Sequence, residues 1–213
     1  MEMTNETKVT IGLLTATVLI IVGGAWLLGR RGTDDGGAAQ VAQMDRLVRG
    51  DSSVLGAQDA AVTVVEFADF QCPACGTLHP IMRRVMENNR DRSVRFVFRH
   101  FPLPQHEYAQ LAAEAAQAAG AQGKAWEYYD LLFENQDRLA RGDLERYAER
   151  LGLDMAAFRS ALDDGRHRGA VQQDVDDGRA LGVKATPTVY INGVQYTGRY
   201  AAEELQAAID QVR

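Results

Sequence analysis

The sequence predicts an α/β domain carried behind an apolar N-terminal segment, on three observations. A β-branched run, AVTVVEF from Ala61 to Phe67, passes directly into an amphipathic helical pattern that begins at a cysteine pair, Cys72 and Cys75. A block of helical patterns separates that unit from a late β run, TVYI over Thr188 to Ile191, which Asn192-Gly193 joins to VQYT over Val194 to Thr197. Hydrophobic residues make up 46% of the 213, enough for one well-cored domain of about 150 residues plus an appendage.

From Val9 to Leu28 the chain carries no charge. At about 1.5 Å per residue this run spans the roughly 30 Å hydrocarbon layer, which predicts a transmembrane anchor over 9–28. A cleavable signal peptide is the alternative, but the run is longer than the roughly 7–15 residue apolar core of such peptides. Residues 1–8 are then expected in the cytoplasm. Arg30 and Arg31 oppose that orientation by the positive-inside tendency, Lys8 partly balances them, and long domains are translocated regardless of charge. Charge alone leaves the orientation open. Residues 29–50 read as a linker: Gly29 to Gly37 has little to bury, whereas Val41, Met44, Leu47 and Val48 recur at helical spacing and predict a short helix leading into a domain over 51–213.

Within that domain, Ala61 to Phe67 is too continuously apolar for a one-faced surface strand and reads as buried on both faces. Leu78, Ile81, Met82 and Val85 then mark one face of a helix starting near Cys72, and VRFVF over Val94 to Phe98 is a second strand, ended by Pro102 and Pro104. Four helical faces follow: Tyr108 to Ala119; Trp126, Tyr129 and Phe133; Leu144, Tyr147, Ala148 and Leu151; and Phe158, Ala161 and Leu162. Val171, Val175 and Leu181 begin the return to the sheet, where Asn-Gly between two β runs is a strong hairpin signal. Leu205, Ala208, Ile209 and Val212 close the chain as an amphipathic helix.

The chemistry centres on FQCPAC, which holds both cysteines of the chain. With Cys72 as N-cap, Pro73 falls at N1, where its missing N–H is no loss, and Cys75 at N3, a spacing from which two sulfurs can close a disulfide. An N-cap sulfur faces the unpaired N–H groups and the positive end of the helix dipole, which favour thiolate over thiol. Cys72 is thus the candidate nucleophile, and Cys75, a turn deeper, the candidate resolving thiol. A zinc site would need four ligands, and His79, His100, His106 and His167 are scattered without ligand spacing. A purely structural disulfide this short would constrain the unfolded chain little. No metal and no cofactor beyond the cysteine pair is expected. Glu66 interrupts the apolar strand, where it is either a buried carboxyl able to relay the Cys75 proton or a residue at a wet edge. His100 and His106 read as loop histidines. The net charge of -6, with no block of Lys and Arg, argues against a nucleic-acid surface.

VTVVEFAD before FQCPAC, the stretch FRHFPLPQHEYAQLAAEAAQAA, and the late TPTVYINGV together resemble the DsbA-like branch of the thioredoxin-fold oxidoreductases, over roughly Ser52 to Arg213. The resemblance implies a thioredoxin fold with a helical domain inserted at about 104–165, and a cis Thr186-Pro187 bond packed beside the disulfide. It also implies that Thr186, Pro73 and Ala74 meet substrate, and that Cys72, Cys75, Pro187 and Glu66 form the catalytic set. Ala74 departs from the histidine that the best-known bacterial member carries there, so one stabiliser of the thiolate is absent and a milder oxidant is expected. The expected activity is membrane-anchored, extracytoplasmic donation of the Cys72-Cys75 disulfide to folding proteins by a monomer, reoxidised by a membrane thiol oxidase. A reductase or isomerase, or an anchored binding module with an inert disulfide, are the alternatives.

Overall fold

A strand without polar alternation must be covered on both faces, and β2 (Val62–Ala68) is buried at all 7 positions. The structure, a computed structural model, describes residues 43–213, of which Met44–Arg213 form one compact unit. β2 lies at the centre of a 5-stranded mixed sheet. β3 (Val94–His100) runs parallel to it, pairing Val62 with Val94 and Ala68 with His100. β4 (Thr188–Ile191) runs antiparallel on its other side, pairing Val64 with Ile191 and Phe67 with Thr188. β1 (Ser53–Leu55) and β5 (Val194–Gln195) form the two edges, each antiparallel to its neighbour. The turn between β4 and β5 places both Asn192 and Gly193 at positive φ, the backbone that a two-residue hairpin requires. Asn192 also binds the hairpin to β2, its Oδ1 accepting from the Thr63 N–H at 2.8 Å.

The parallel pair β2 and β3 is joined through α1 (Pro73–Asn88), the crossover that parallel strands need. Leu78, Met82 and Val85 of α1 pack with Leu205 and Ile209 of α7 (Ala202–Gln211) on Val62 and Val64. The opposite face, Val65, Phe67 and Val97, is covered by Leu47 and by Val175 of α6 (Arg168–Ala180). Each such fully buried aliphatic side chain contributes roughly 1.5–3 kcal/mol. Between β3 and α6 stand α2 (Ala109–Gly120), α3 (Ala125–Glu134), α4 (Arg141–Arg150) and α5 (Met155–Asp163). Their Leu132, Leu144 and Phe158 share one core with Phe70, Phe98 and both cysteines. This is the mixed-sheet, helix-flanked thioredoxin arrangement that the sequence resemblance implies.

Two boundaries differ from the expectation. The compact unit starts at Met44 rather than at 51. Residues 43–47 are helical, as the spacing of Met44 and Leu47 predicts; Leu47 is buried and the Arg99 guanidinium donates to the Arg46 and Leu47 carbonyls, so this helix packs on the domain. β3 runs on to His100, and His100 is 2% exposed, a core residue rather than a loop histidine. The apolar run Val9–Leu28 and residues 29–42 lie outside the described residues. Among the described residues no helix is long and apolar enough to cross a membrane.

Candidate active site

Helix α1 begins where the strand β2 ends, so the chain must turn sharply through Asp69, Phe70 and Gln71. Asp69 is the hub of that turn. Its backbone carbonyl accepts from the Cys72 N–H at 3.1 Å, and its Oδ1 accepts from the Gln71 N–H at 2.7 Å. Its Oδ2 accepts from the Leu103 N–H at 2.8 Å and meets His106 Nδ1 at 2.6 Å, which ties the turn to the loop after β3. His106 is therefore part of the support of the site.

Cys72 is the N-cap, with φ -75 and ψ 121, and Pro73 opens the helix. Both cysteines are free and buried in the structure. The Cys72 sulfur makes no capping bond to the first turn; instead Sγ donates to the Thr186 carbonyl at 3.5 Å. Thr186-Pro187 is cis, and the Pro187 carbonyl accepts from Tyr200 at 3.2 Å. Pro73 and Ala74 are exposed beside the sulfur, while Cys72 retains 6% exposure and Cys75 none.

Glu66 lies between β3 and β4 at 2% exposure, which decides the question the sequence left open in favour of burial. Alternation along β2 puts it on the face of Val62 and Val64, the side of α1. Its Oε2 accepts from the Tyr129 hydroxyl at 3.2 Å, and its Oε1 has no partner. Burial raises its pKa to about 7, with the Tyr129 hydroxyl opposing the rise. Burial likewise pushes the Cys75 thiol far up; the Asp69 backbone opposes this, and the charges of Glu66 and Cys72 add to it. A buried sulfur so reluctant to hold a negative charge needs a proton partner whenever its bond to Cys72 breaks, and Glu66 titrates in the neutral range where it can serve.

The structure thus brings together Cys72, Cys75, Glu66, Thr186 and Pro187, with Pro73 and Ala74 on the rim. Sequence reasoning missed Asp69, Tyr129 and Gln136. Tyr129 falls on an apolar helical face and reads as core, which its ring is, packed at 5.0 Å from Phe98 and 4.9 Å from Phe133. Gln136 follows α3, and its Nε2 donates to the carbonyls of both Phe70 and Cys72, each at 2.8 Å. Nothing in its sequence neighbourhood signals that contact.

Residues 49–211 match the family model described as Thioredoxin. Among curated proteins, the chain is similar to the Na(+)/H(+) antiporter NhaA 3 of Salinispora tropica, at 50% identity over 157 residues, covering 73% of this chain and 24% of that protein. The chain thus spans about a quarter of the length of that relative. Among solved structures it is similar to a thioredoxin-like oxidoreductase from Silicibacter pomeroyi, with 27% identity and a TM-score of 0.70, over 79% of this chain and 96% of that one. It is also similar to oxidised BdbD from Bacillus subtilis, with 27% identity and a TM-score of 0.69, over 76% and 92%.

Proposed function

Because the chain belongs to the thioredoxin family, with the fold of its DsbA-like thiol-disulfide oxidoreductases, we propose that it oxidises thiols of folding proteins outside the cytoplasm. The observation that carries this reading is the cysteine pair at a helix start, with buried Glu66 on the helix side of the sheet and cis Thr186-Pro187 beside it. A substrate thiolate attacks Cys72 Sγ, the Cys72–Cys75 bond breaks, and its electron pair goes to Cys75. Glu66 supplies the proton that keeps Cys75 neutral. A second substrate thiolate then attacks the substrate sulfur of the mixed disulfide, forming the substrate disulfide and leaving Cys72 reduced. Run backwards, Cys75 resolves the mixed disulfide and Glu66 takes its proton.

The Thr186 carbonyl, already within reach of Cys72 Sγ, is the backbone group against which an extended substrate segment pairs, and Pro73 and Ala74 form its floor. The Val9–Leu28 run anchors the chain, and a membrane thiol oxidase restores the disulfide. A membrane setting is supported by the relatives that carry this domain, which are named as antiporters. The direction of transfer is tested by equilibrating the protein with glutathione. An oxidase should lie well above the roughly -270 mV of thioredoxin, and a value at or below that favours a reductase on the same scaffold.

A further inference from the structure

We propose that Tyr129 is a positioning residue of the proton relay: its hydroxyl holds one oxygen of the Glu66 carboxyl, leaving Oε1 as the atom that carries the proton exchanged with Cys75. The inference rests on the thiol-disulfide reading above but not on its direction.

The two residues come together from separate parts of the chain. Glu66 stands on β2 in register with Phe98 and Val189, so its strand neighbours offer it no polar side chain. Tyr129 reaches it from α3 in the helical block, and the hydroxyl donates to Oε2 at 3.2 Å. That is the one side-chain hydrogen bond of Glu66 among the described residues; Oε1 is buried with no partner. A phenol has a single O–H to donate, so Tyr129 serves one carboxyl oxygen and leaves the other free to take a proton.

Packing aims that hydroxyl. The Tyr129 ring lies 5.2 Å from Trp126 and 5.3 Å from His79, in addition to Phe98 and Phe133. Its neighbour Asp130 meets His79 Nε2 at 2.9 Å and Arg83 Nε at 3.3 Å, both from α1, so α3 is tied to the helix that bears the cysteines. Burial and the charge of Glu66 push the Tyr129 hydroxyl well above its ordinary pKa, so it remains a donor and does not release its own proton. The other titratable groups facing the pair are Cys75 of α1, Asp130 with its two partners, and Tyr200, whose hydroxyl is on the Pro187 carbonyl. None of them bonds to either Glu66 oxygen. A donor to a buried carboxyl favours its ionised form, against the larger effect of burial. Without the hydroxyl, burial acts unopposed and Glu66 holds its proton too tightly to accept one from Cys75 at neutral pH.

The test uses the detergent-solubilised full chain, reduced, and Tyr129→Phe, which keeps the ring and removes only the hydroxyl. One equivalent of a chromogenic aromatic disulfide is added. The Cys72 thiolate attacks one of its sulfurs, forming a mixed disulfide and releasing one aromatic thiolate. Cys75 then attacks Cys72 Sγ, releasing the second thiolate while Glu66 takes the Cys75 proton. The pH at which the second release reaches half its maximal rate should rise by about one unit in Tyr129→Phe, the loss of one hydrogen bond to a charged group. The first release should keep its wild-type profile. The infrared carbonyl stretch of protonated Glu66, assigned by its loss in Glu66→Gln, should titrate with the same shift. In the Glu66→Gln background Tyr129→Phe should move no inflection. An unchanged infrared titration would reduce Tyr129 to a packing ring and overturn the proposal, as would equal slowing of both releases at every pH. A wild-type protein that releases one thiolate and never the second would instead defeat the thiol-disulfide reading, and the infrared titration would still decide whether Tyr129 governs the Glu66 proton.

Discussion

Glu66 holds a carboxyl in the middle of the most buried strand, with one oxygen on the Tyr129 hydroxyl and the other without a partner. Its pKa rises from 4.5 to about 7, so between those values the unfolded chain releases a proton that the folded chain retains. Stability must then fall as pH rises through that window and level off above it, a loss on the order of 3 kcal/mol. Glu66→Gln removes the titration. Urea unfolding should find the variant more stable than wild type at pH 8 by up to that amount, and the gain should vanish by pH 4. An equal difference at both pH values would mean that Glu66 is not the titrating group. The interruption of VVEF by an acid is legible in the sequence. Its burial is not, because it depends on β4 arriving from more than a hundred residues away to cover the second edge of β2.

At the scale of elements, the buried cation of β3 organises the side of the sheet away from α1. Arg99 is 0% exposed, with Nε on Asp174 at 2.7 Å and Nη2 on Asp177 at 2.9 Å, both from α6. Burial still lifts Asp174 to about 6, the Arg99 charge pulling against the rise. Arg99→Met would leave Asp174 buried without its cation, while Asp177 keeps Arg46 at 3.3 Å and Arg49 at 3.5 Å, and should cost about 3 kcal/mol in urea unfolding at pH 7. The cost should be smaller at pH 5, where Asp174 carries a proton; no pH dependence would assign the loss to packing alone. Such a cluster is invisible in the sequence, where VRFVF reads only as a strand and the acids belong to a distant helix. β1 is equally hidden, with only 3 residues and no alternation to mark it. By contrast, the Asn192-Gly193 turn, the crossover helix and the aromatic faces of the helical block were legible because each is a local pattern. What the sequence could not give is contact between patterns, and Gln136 on the Cys72 turn is the clearest case.

For the whole molecule, the exposed Pro73-Ala74 rim beside Cys72 and the buried Cys75 define where clients of the proposed exchange must meet it. In cells, Cys75→Ser should accumulate mixed disulfides at Cys72, because the sulfur that would displace the client is gone. Recovered adducts should be proteins that fold outside the cytoplasm, and Cys72→Ser in the same background should abolish them. Adducts drawn from cytoplasmic proteins would refute the proposed orientation of the domain.

The attachment at Leu47 has a mechanical consequence. A pull applied at Met44 enters the fold through the Arg46 and Leu47 carbonyls, passes to Arg99, and from there divides into β3 and α6. That load path runs over the Val65 and Phe67 face of the sheet, whereas the helix bearing the cysteines packs on the Val62 and Val64 face. Tension entering at Met44 is borne by one side of the sheet, while the helix that bears the cysteines packs on the other.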